Sequence, residues 1–473
     1  MTARTHAATG AHGAPEPTLP AELELGGRRV PVLLSAATRI ALRVRFPGPA
    51  PADRTVFDRV LVRLGDREAR LTRCRFHAEG PDGGRIVFLD DVYDARSLVF
   101  DRKIVDLKNA FQSVPAVLAH KEIVRPEFRA FISDLTYDLS VWRRFLDDQD
   151  ALLAQEPADA AATAREALLG TVGRAFMAYL DHQVGQLAEV TAGFTKEEHE
   201  RHGFYLRRQA WPYIETAPIM LRTNLKPYGY AGDAEMMRLI YEARYTGESL
   251  FGQLMHKHSV ESPGAHAVRN RRRWVPCVLR EVAARWPARE PFRFFSVAAG
   301  PAWELQDVFQ KPEDAARFHC ALLDQDPHAL AAARENVARI EHSLDAGLRV
   351  SWHHDSVRTM LRARDLAERL GRQHFVYSMG LFDYLTPPVA RAVLERMYDL
   401  LLPGGTLLVG NFHVNHASRL YMEYWLDWSL FLRTEESFLA LTEGLEAARK
   451  TISYDDSRCQ MFLRLEKPAR GAP

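Results

Sequence analysis

Cysteine is scarce in this chain of 473 residues. There are four, Cys74, Cys277, Cys320 and Cys459, and no two are close enough for a Cys-x-x-Cys motif. That argues against a disulfide framework or a zinc ribbon, and it suits a reducing cytosol, the expected location. Long apolar runs are also missing. No window approaches the roughly 18 apolar residues of a membrane span, so any membrane contact is expected to be peripheral at most. Neither charge sign dominates, with 62 Lys plus Arg against 61 Asp plus Glu. The balance gives no global electrostatic case for nucleic acid, and no nucleic-acid partner is expected. The local cluster Arg269, Arg271, Arg272 and Arg273 reads equally well as a basic patch or a solvated helix face. His353 and His354 lack matching acidic or histidine spacing nearby, so no metal is expected. The first 20 residues are rich in Ala, Gly, Pro and Thr without an apolar core, and read as a disordered tail rather than a signal peptide.

What is present falls into three parts. Residues 21–105 carry short Val-, Leu- and Phe-rich runs separated by turn signals such as Pro47-Gly48 and Pro81-Asp82-Gly83-Gly84, the pattern of a small β-barrel. Residues 106–285 turn helical, with three- and four-residue apolar spacing over Phe128 to Leu146 and Ala164 to Val190. Ala154 to Thr163 is a linker or a helix start. From residue 286 strand-like and helix-like segments alternate, beginning at Phe292 to Ala298, which predicts an α/β fold with a Rossmann-like sheet. Arg449 to Tyr454 and Gln460 to Leu465 read as two closing strands, which makes seven.

Ligands of such sheets bind beyond the carboxyl ends of the strands. After the first strand comes Ser296-Val297-Ala298-Ala299-Gly300-Pro301-Ala302. The second ends in Asp324-Gln325-Asp326-Pro327, the third in His353-His354-Asp355-Ser356, and the fourth leads into Ser378-Met379-Gly380. Leu402-Pro403-Gly404-Gly405 then makes a tight turn into the fifth. In this order the elements resemble class I S-adenosylmethionine (SAM) dependent methyltransferases, whose first motif is acidic-x-Gly-x-Gly-x-Gly. Two glycines are alanines here and the acid is Ser296. The resemblance implies SAM as cofactor, with small residues Ala298 and Gly300 under its amino-acid and ribose part. It also implies Asp324 and Gln325 at the ribose, Asp355 and Ser356 at the adenine, and Met379 nearby. Asp326 reads as a helix N-cap.

A second string is more specific: Lys226-Pro227-Tyr228-Gly229-Tyr230-Ala231-Gly232-Asp233. With Gly380 to Leu385, Gly410-Asn411-Phe412 and Tyr421-Met422-Glu423, it resembles the family of extracellular-factor, or 3-hydroxypalmitic acid methyl ester, biosynthesis proteins, over roughly residues 200 to 465. That resemblance implies methyl transfer to a small-molecule or lipid acceptor, with a fatty-acid carboxylate favoured. Tyr228, Tyr230 and Asp233 are expected to close over the cofactor. Asp233 would either meet its ammonium in place of the acid missing at Ser296 or cap the following helix. The pair Arg39 and Arg43 resembles the arginines of PilZ domains, but the second PilZ element is absent, so no dinucleotide is expected.

A carboxylate acceptor needs no base, whereas a hydroxyl or amine does. The candidates for the acceptor side are His413, Tyr384, Glu423 and Arg433. His413 is a base or a structural histidine; Arg433 binds an anion or pairs with a nearby acid. The aromatic run Tyr421, Tyr424, Trp425, Trp428 and Phe431 lines an acyl pocket or forms a buried face. Two further alternatives stay open: methylation of N or O on another metabolite, and a PilZ-like binding protein whose methyltransferase domain has lost catalysis. The sequence leaves the oligomeric state open.

Overall fold

A computed structural model describes residues 19–37, 41–64, 67–89, 123–363 and 365–469. The chain divides into two compact units, residues 1–123 and 124–473.

In the first unit Leu-Glu alternation over Ala21 to Leu25 signals a half-buried strand, with Leu23 and Leu25 inward and Glu22 and Glu24 outward. It is β1 (Leu19–Leu25), followed by β2 (Arg28–Ala37), β3 (Ala41–Arg45), β4 (Val56–Leu64), β5 (Arg67–Ala78) and β6 (Gly83–Phe88). All pairings are antiparallel, in the order β1-β2-β3-β6-β5-β4, and β4 returns to β1. Leu23, Val44, Val60, Leu71, Phe76 and Ile86 fill the interior. Arg39 lies outside the described residues. Arg43 donates to Glu79 at 2.9 Å.

The second unit begins with helices: α1 (Pro126–Leu153), α2 (Ala158–Leu168), α3 (Arg174–Val190), α4 (Lys196–Gln209), α5 (Pro218–Leu225), α6 (Ala234–Glu242), α7 (Leu250–Val260) and α8 (Pro263–Ala283). The Ala-rich stretch is therefore a helix start from Ala158, and a π-helical turn, Leu169–Gly173, joins α2 to α3. Phe128, Ile132, Leu135 and Leu139 recur at helical spacing on α1, and all are buried.

The sheet comprises β7 (Phe292–Val297), β8 (Phe318–Asp324), β9 (Arg349–His354), β10 (Gln373–Ser378), β11 (Leu401–Phe412), β12 (Arg449–Tyr454) and β13 (Gln460–Glu466). Its order is β12-β13-β11-β10-β7-β8-β9, parallel except for β13, which runs against both β11 and β12. The five parallel strands read 3-2-1-4-5, so the order reverses between β7 and β10. Helices α9 (Leu305–Val308), α10 (Pro327–Leu344), α11 (Val357–Arg362) and α12 (Pro387–Asp399) lie between the strands, and α13 (Arg419–Trp425) follows β11. Side chains alternate faces along β7: Phe292 and Phe294 join the layer with α8, and Phe295 and Val297 the layer with α12. Leu402 to Gly405 is not a free turn, because β11 starts at Leu401. Gln373 pairs with Leu401 and Phe375 with Thr406, so the extra residues form a bulge, with Gly404 at φ 80°.

Phe294 is fully buried on a central strand, against Phe309, Phe318 and Tyr377. Phe294→Ala is expected to cost about 3–5 kcal/mol, read as a lower urea midpoint at unchanged slope.

Candidate functional site

The site grows from the loop after β7. Ala298, Gly300 and Ala302 have φ of 54°, 57° and 49°. These are the three positions at which the glycine pattern places its glycines. The left-handed backbone is retained although two of the residues carry a Cβ, at about 1–2 kcal/mol each. Neighbouring strands and helices impose it. The Ala299 N–H donates to the Leu323 carbonyl at 3.0 Å, and the Gly300 N–H to Asp324 Oδ2 at 2.7 Å. Buried Asn336 on α10 donates to the Ala302 carbonyl at 2.7 Å. A Cβ at Gly300 would meet nothing within 4 Å, so the loop presents an open backbone surface there.

Asp324, at the end of β8, is 7% exposed. Its Oδ1 accepts the Asp326 N–H at 2.9 Å. Burial pushes this carboxyl above the usual aspartate range, against the pull of the Asp326 and Gly300 N–H groups. The Gln325 N–H also draws it down, and the acceptor capacity left over is open to a ligand. Asp326 caps α10 by accepting the His328 N–H at 2.9 Å, and it also accepts the Tyr230 hydroxyl at 2.7 Å. The carbonyl of exposed Gln325 lies 3.1 Å from His354 Nε2. Asp355 accepts the Ser356 N–H at 2.9 Å, and Ser356 caps α11.

The Lys226 to Asp233 string spans this cluster and the Phe382–Tyr384 turn beyond β10. Lys226 is left-handed at the end of α5 and pairs with Asp427 at 2.5 Å. Tyr228 stacks on His328, ring centroids 4.3 Å apart, beneath the Arg222 guanidinium. Gly232 is needed for space. A Cβ there would lie 2.8 Å from the Tyr384 hydroxyl and 3.1 Å from Trp428. Trp428 Nε1 donates to that hydroxyl at 2.8 Å, and burial pushes the Tyr384 phenol well above its ordinary value. Asp233 is fully buried, caps α6 through the Met236 N–H and accepts from Arg222 Nε at 2.8 Å. Its charge is already matched, which removes the ammonium role and leaves the cap.

Three acceptor candidates also move. His413 accepts the Asn415 N–H and lies edge-on to Tyr454 of β12, at the outer edge of the sheet. Glu423 on α13 pairs with Arg419 one turn away, at 3.1 Å. Buried Arg433 donates to the carbonyls of Phe382 and Leu385, each at 2.7 Å, and to the Asn411 side chain. It pins the loop that carries Asp383 and Tyr384 instead of offering itself to an anion. Of the candidates, Tyr384 alone meets the Gly232 loop. Tyr421, Tyr424, Trp425 and Trp428 are buried in the helical core and Phe431 is exposed, which favours the buried-face reading of the aromatic run.

Two charged groups lie near the ends of β7 and β10, and sequence reasoning gave neither of them a role there. Arg271 on α8 donates to the Met379 carbonyl at 3.1 Å and lies against Met237 sulfur. Its neighbours Arg269 and Arg272 bond to the Ile240 and Val260 carbonyls and to Asp307, so three of the four clustered arginines are committed within the chain and Arg273 is exposed. Glu304, 9% exposed, accepts the Tyr377 hydroxyl at 2.7 Å. Tyr377 pairs in register with Ser296. The available signals were an arginine on the helix entering β7 and an acid eight residues beyond the vacant acidic position.

Among the described residues no three potential metal ligands gather, and no helix is long and apolar enough to cross a membrane. A five-strand 3-2-1-4-5 order with a left-handed loop at its reversal defines a doubly wound, Rossmann-like α/β sheet. No family model and no curated protein matches the chain. Similar solved structures include a possible exported protein from Bordetella parapertussis, at 18% identity and TM-score 0.38, covering 63% of this chain and 97% of the other. Magnesium protoporphyrin IX methyltransferase from Synechocystis PCC 6803 with bound SAM shows 12% identity, TM-score 0.31 and coverage of 43% and 83%. An O-methyltransferase family protein from Burkholderia thailandensis shows 16%, 0.34, and 73% and 96%. At these scores the likenesses add no weight to the strand order itself.

Ala298→Gly and Ala302→Gly are each expected to stabilise the fold by up to about 1 kcal/mol, since relief of the left-handed Cβ outweighs the extra chain entropy of glycine. Thermal unfolding checks this, and a lower melting temperature in both variants contradicts it. Asp383 gives a pH signature. It is buried, accepts the Phe412 N–H at 2.7 Å, and is raised by burial from 3.8 to about 6. The folded carboxyl holds its proton more tightly than the unfolded one. Its stabilisation is therefore full below about pH 4 and is lost as pH rises through about 6. Asp383→Asn keeps the acceptor without titrating. It should gain stability relative to the wild type between pH 4 and 6.5, measured by urea unfolding at each pH.

Proposed function

We propose that the chain is a SAM-dependent methyltransferase acting on a small-molecule or lipid acceptor. The observation that carries this reading is Asp324 holding the Gly300 N–H at the point where the sheet order reverses. The residues fit the cofactor. The loop leaves open backbone at Gly300, and Asp324 keeps spare acceptor positions for a vicinal diol. Asp355 and Ser356 close the same edge beyond β9. When bound, SAM supplies an activated methyl group for in-line displacement by an acceptor atom. The chain contributes position and dryness. Tyr230 ties the Gly229 to Gly232 loop to Asp326, and Gly232 seats it on Tyr384 and Trp428, so the loop closes the space between cofactor and acceptor sides.

On the acceptor, the string Lys226 to Asp233 favours carboxyl O-methylation of a 3-hydroxy fatty acid. The orientation of His413 supports this: the candidate base is turned to the sheet edge, and a carboxylate acceptor needs none. Tyr384, 38% exposed with its hydroxyl held by Trp428, is the group we assign to the acceptor side.

Calorimetry with SAM tests the proposal. Asp324→Ala removes charge-assisted hydrogen bonds and should weaken binding by about 10- to 100-fold. In lipid extracts of expressing cells, species heavier by one methyl should vanish with the variant. A wild-type protein that binds no SAM contradicts the proposal.

A further inference from the structure

The zwitterionic end of the cofactor has no partner in the motif as the sequence writes it. Ser296 replaces the acid, and Asp233 is spent on Arg222 and α6. The first motif nevertheless has a carboxylate close by. Glu304 reaches Tyr377, the β10 residue that pairs with Ser296, and the two strand residues face the same layer as Phe294. Arg271 approaches the same strand ends from α8, through the Met379 carbonyl. A Cβ added to Gly380 would lie 3.4 Å from its guanidinium.

Among the described residues, neither Arg271 nor Glu304 has an opposite charge within 4 Å. Every other arginine described on α8 except exposed Arg273 has one: Arg269 with Glu261, Arg272 with Asp307 and Arg280 with Asp314. Arg271 instead meets a carbonyl, a thioether and the Tyr241 hydroxyl, and Tyr241 stacks on Trp303, next in sequence to Glu304. Glu304 is buried and Arg271 half-buried; burial pushes the Glu304 carboxyl up, and the Arg271 charge draws it back without a direct bond. Leaving the two unjoined is costly unless a ligand completes both. Free α-amino acids carry one charge of each sign on a single carbon, the complement of this pair.

We propose that Arg271 and Glu304 together hold the α-amino-acid end of the cofactor, Arg271 its carboxylate and Glu304 its ammonium. Glu304 thus supplies from the start of α9 the carboxylate that β7 lacks. This rests on the SAM reading above and adds the residues that select the amino-acid moiety.

The test compares two probes on the full chain by calorimetry. S-adenosylhomocysteine carries the amino-acid end; 5′-methylthioadenosine keeps the nucleoside and sulfur and lacks it. Glu304→Gln and Arg271→Gln should each weaken S-adenosylhomocysteine by about tenfold or more, as expected for a lost charged hydrogen bond, and leave methylthioadenosine within about twofold. The ratio of the two affinities is read in one sample, so a partly unfolded variant does not mimic the result. Equal loss of both probes, or no loss of either, overturns the proposal and leaves the SAM reading standing. A wild type that binds neither probe overturns the SAM reading itself.

Discussion

Most of the site depends on one hydrogen bond, from the Gly300 N–H to the Asp324 carboxylate. It joins the loop after β7 to the end of β8, two neighbouring strand ends beside the point where the sheet order reverses. The same carboxylate accepts the Asp326 N–H, and Asp326 in turn caps α10 and receives Tyr230. One buried acid therefore fixes the loop, the start of a helix and, through Tyr230, the segment that covers them. Removing its side chain would leave the buried Asp326 N–H unpaired, at about 1–3 kcal/mol, and free the part-buried Gly300 N–H to water.

The left-handed loop shows how a sequence motif and a backbone motif separate. Glycine is the least costly residue at such a φ, but it is not obligatory where surrounding hydrogen bonds impose the conformation. Leu323, Asp324 and Asn336 do so here, and alanine is tolerated at two of three positions. The strain is local, and it sits where the sheet order reverses, the place where open α/β sheets bind ligands.

The sheet was legible because its strands are short apolar runs separated by helical periodicity, and each strand end carries its polar residues in chain order. Asp326 as a cap and the buried helical face of Tyr421, Tyr424 and Trp425 follow from local spacing alone. What spacing does not show is which way a polar side chain is spent. Asp233, Glu423 and Arg433 all look available in sequence, and each is satisfied by a partner 4 to 51 residues away. Arg271 and Glu304 were hidden for the converse reason: one lies in an arginine cluster that reads as surface, the other outside the motif proper. Strand β1 was missed beside the Pro-rich start, although its Leu-Glu alternation was there to be read.

The central claim is that the reversal point of this sheet holds SAM by its ribose at Asp324, under the loop of Ala298 to Ala302. A crystal structure with S-adenosylhomocysteine tests it most directly. The account predicts ribose hydroxyls on Asp324 and adenine beside Asp355. Density for the nucleoside elsewhere on the chain, or a ribose bound without Asp324, would contradict it.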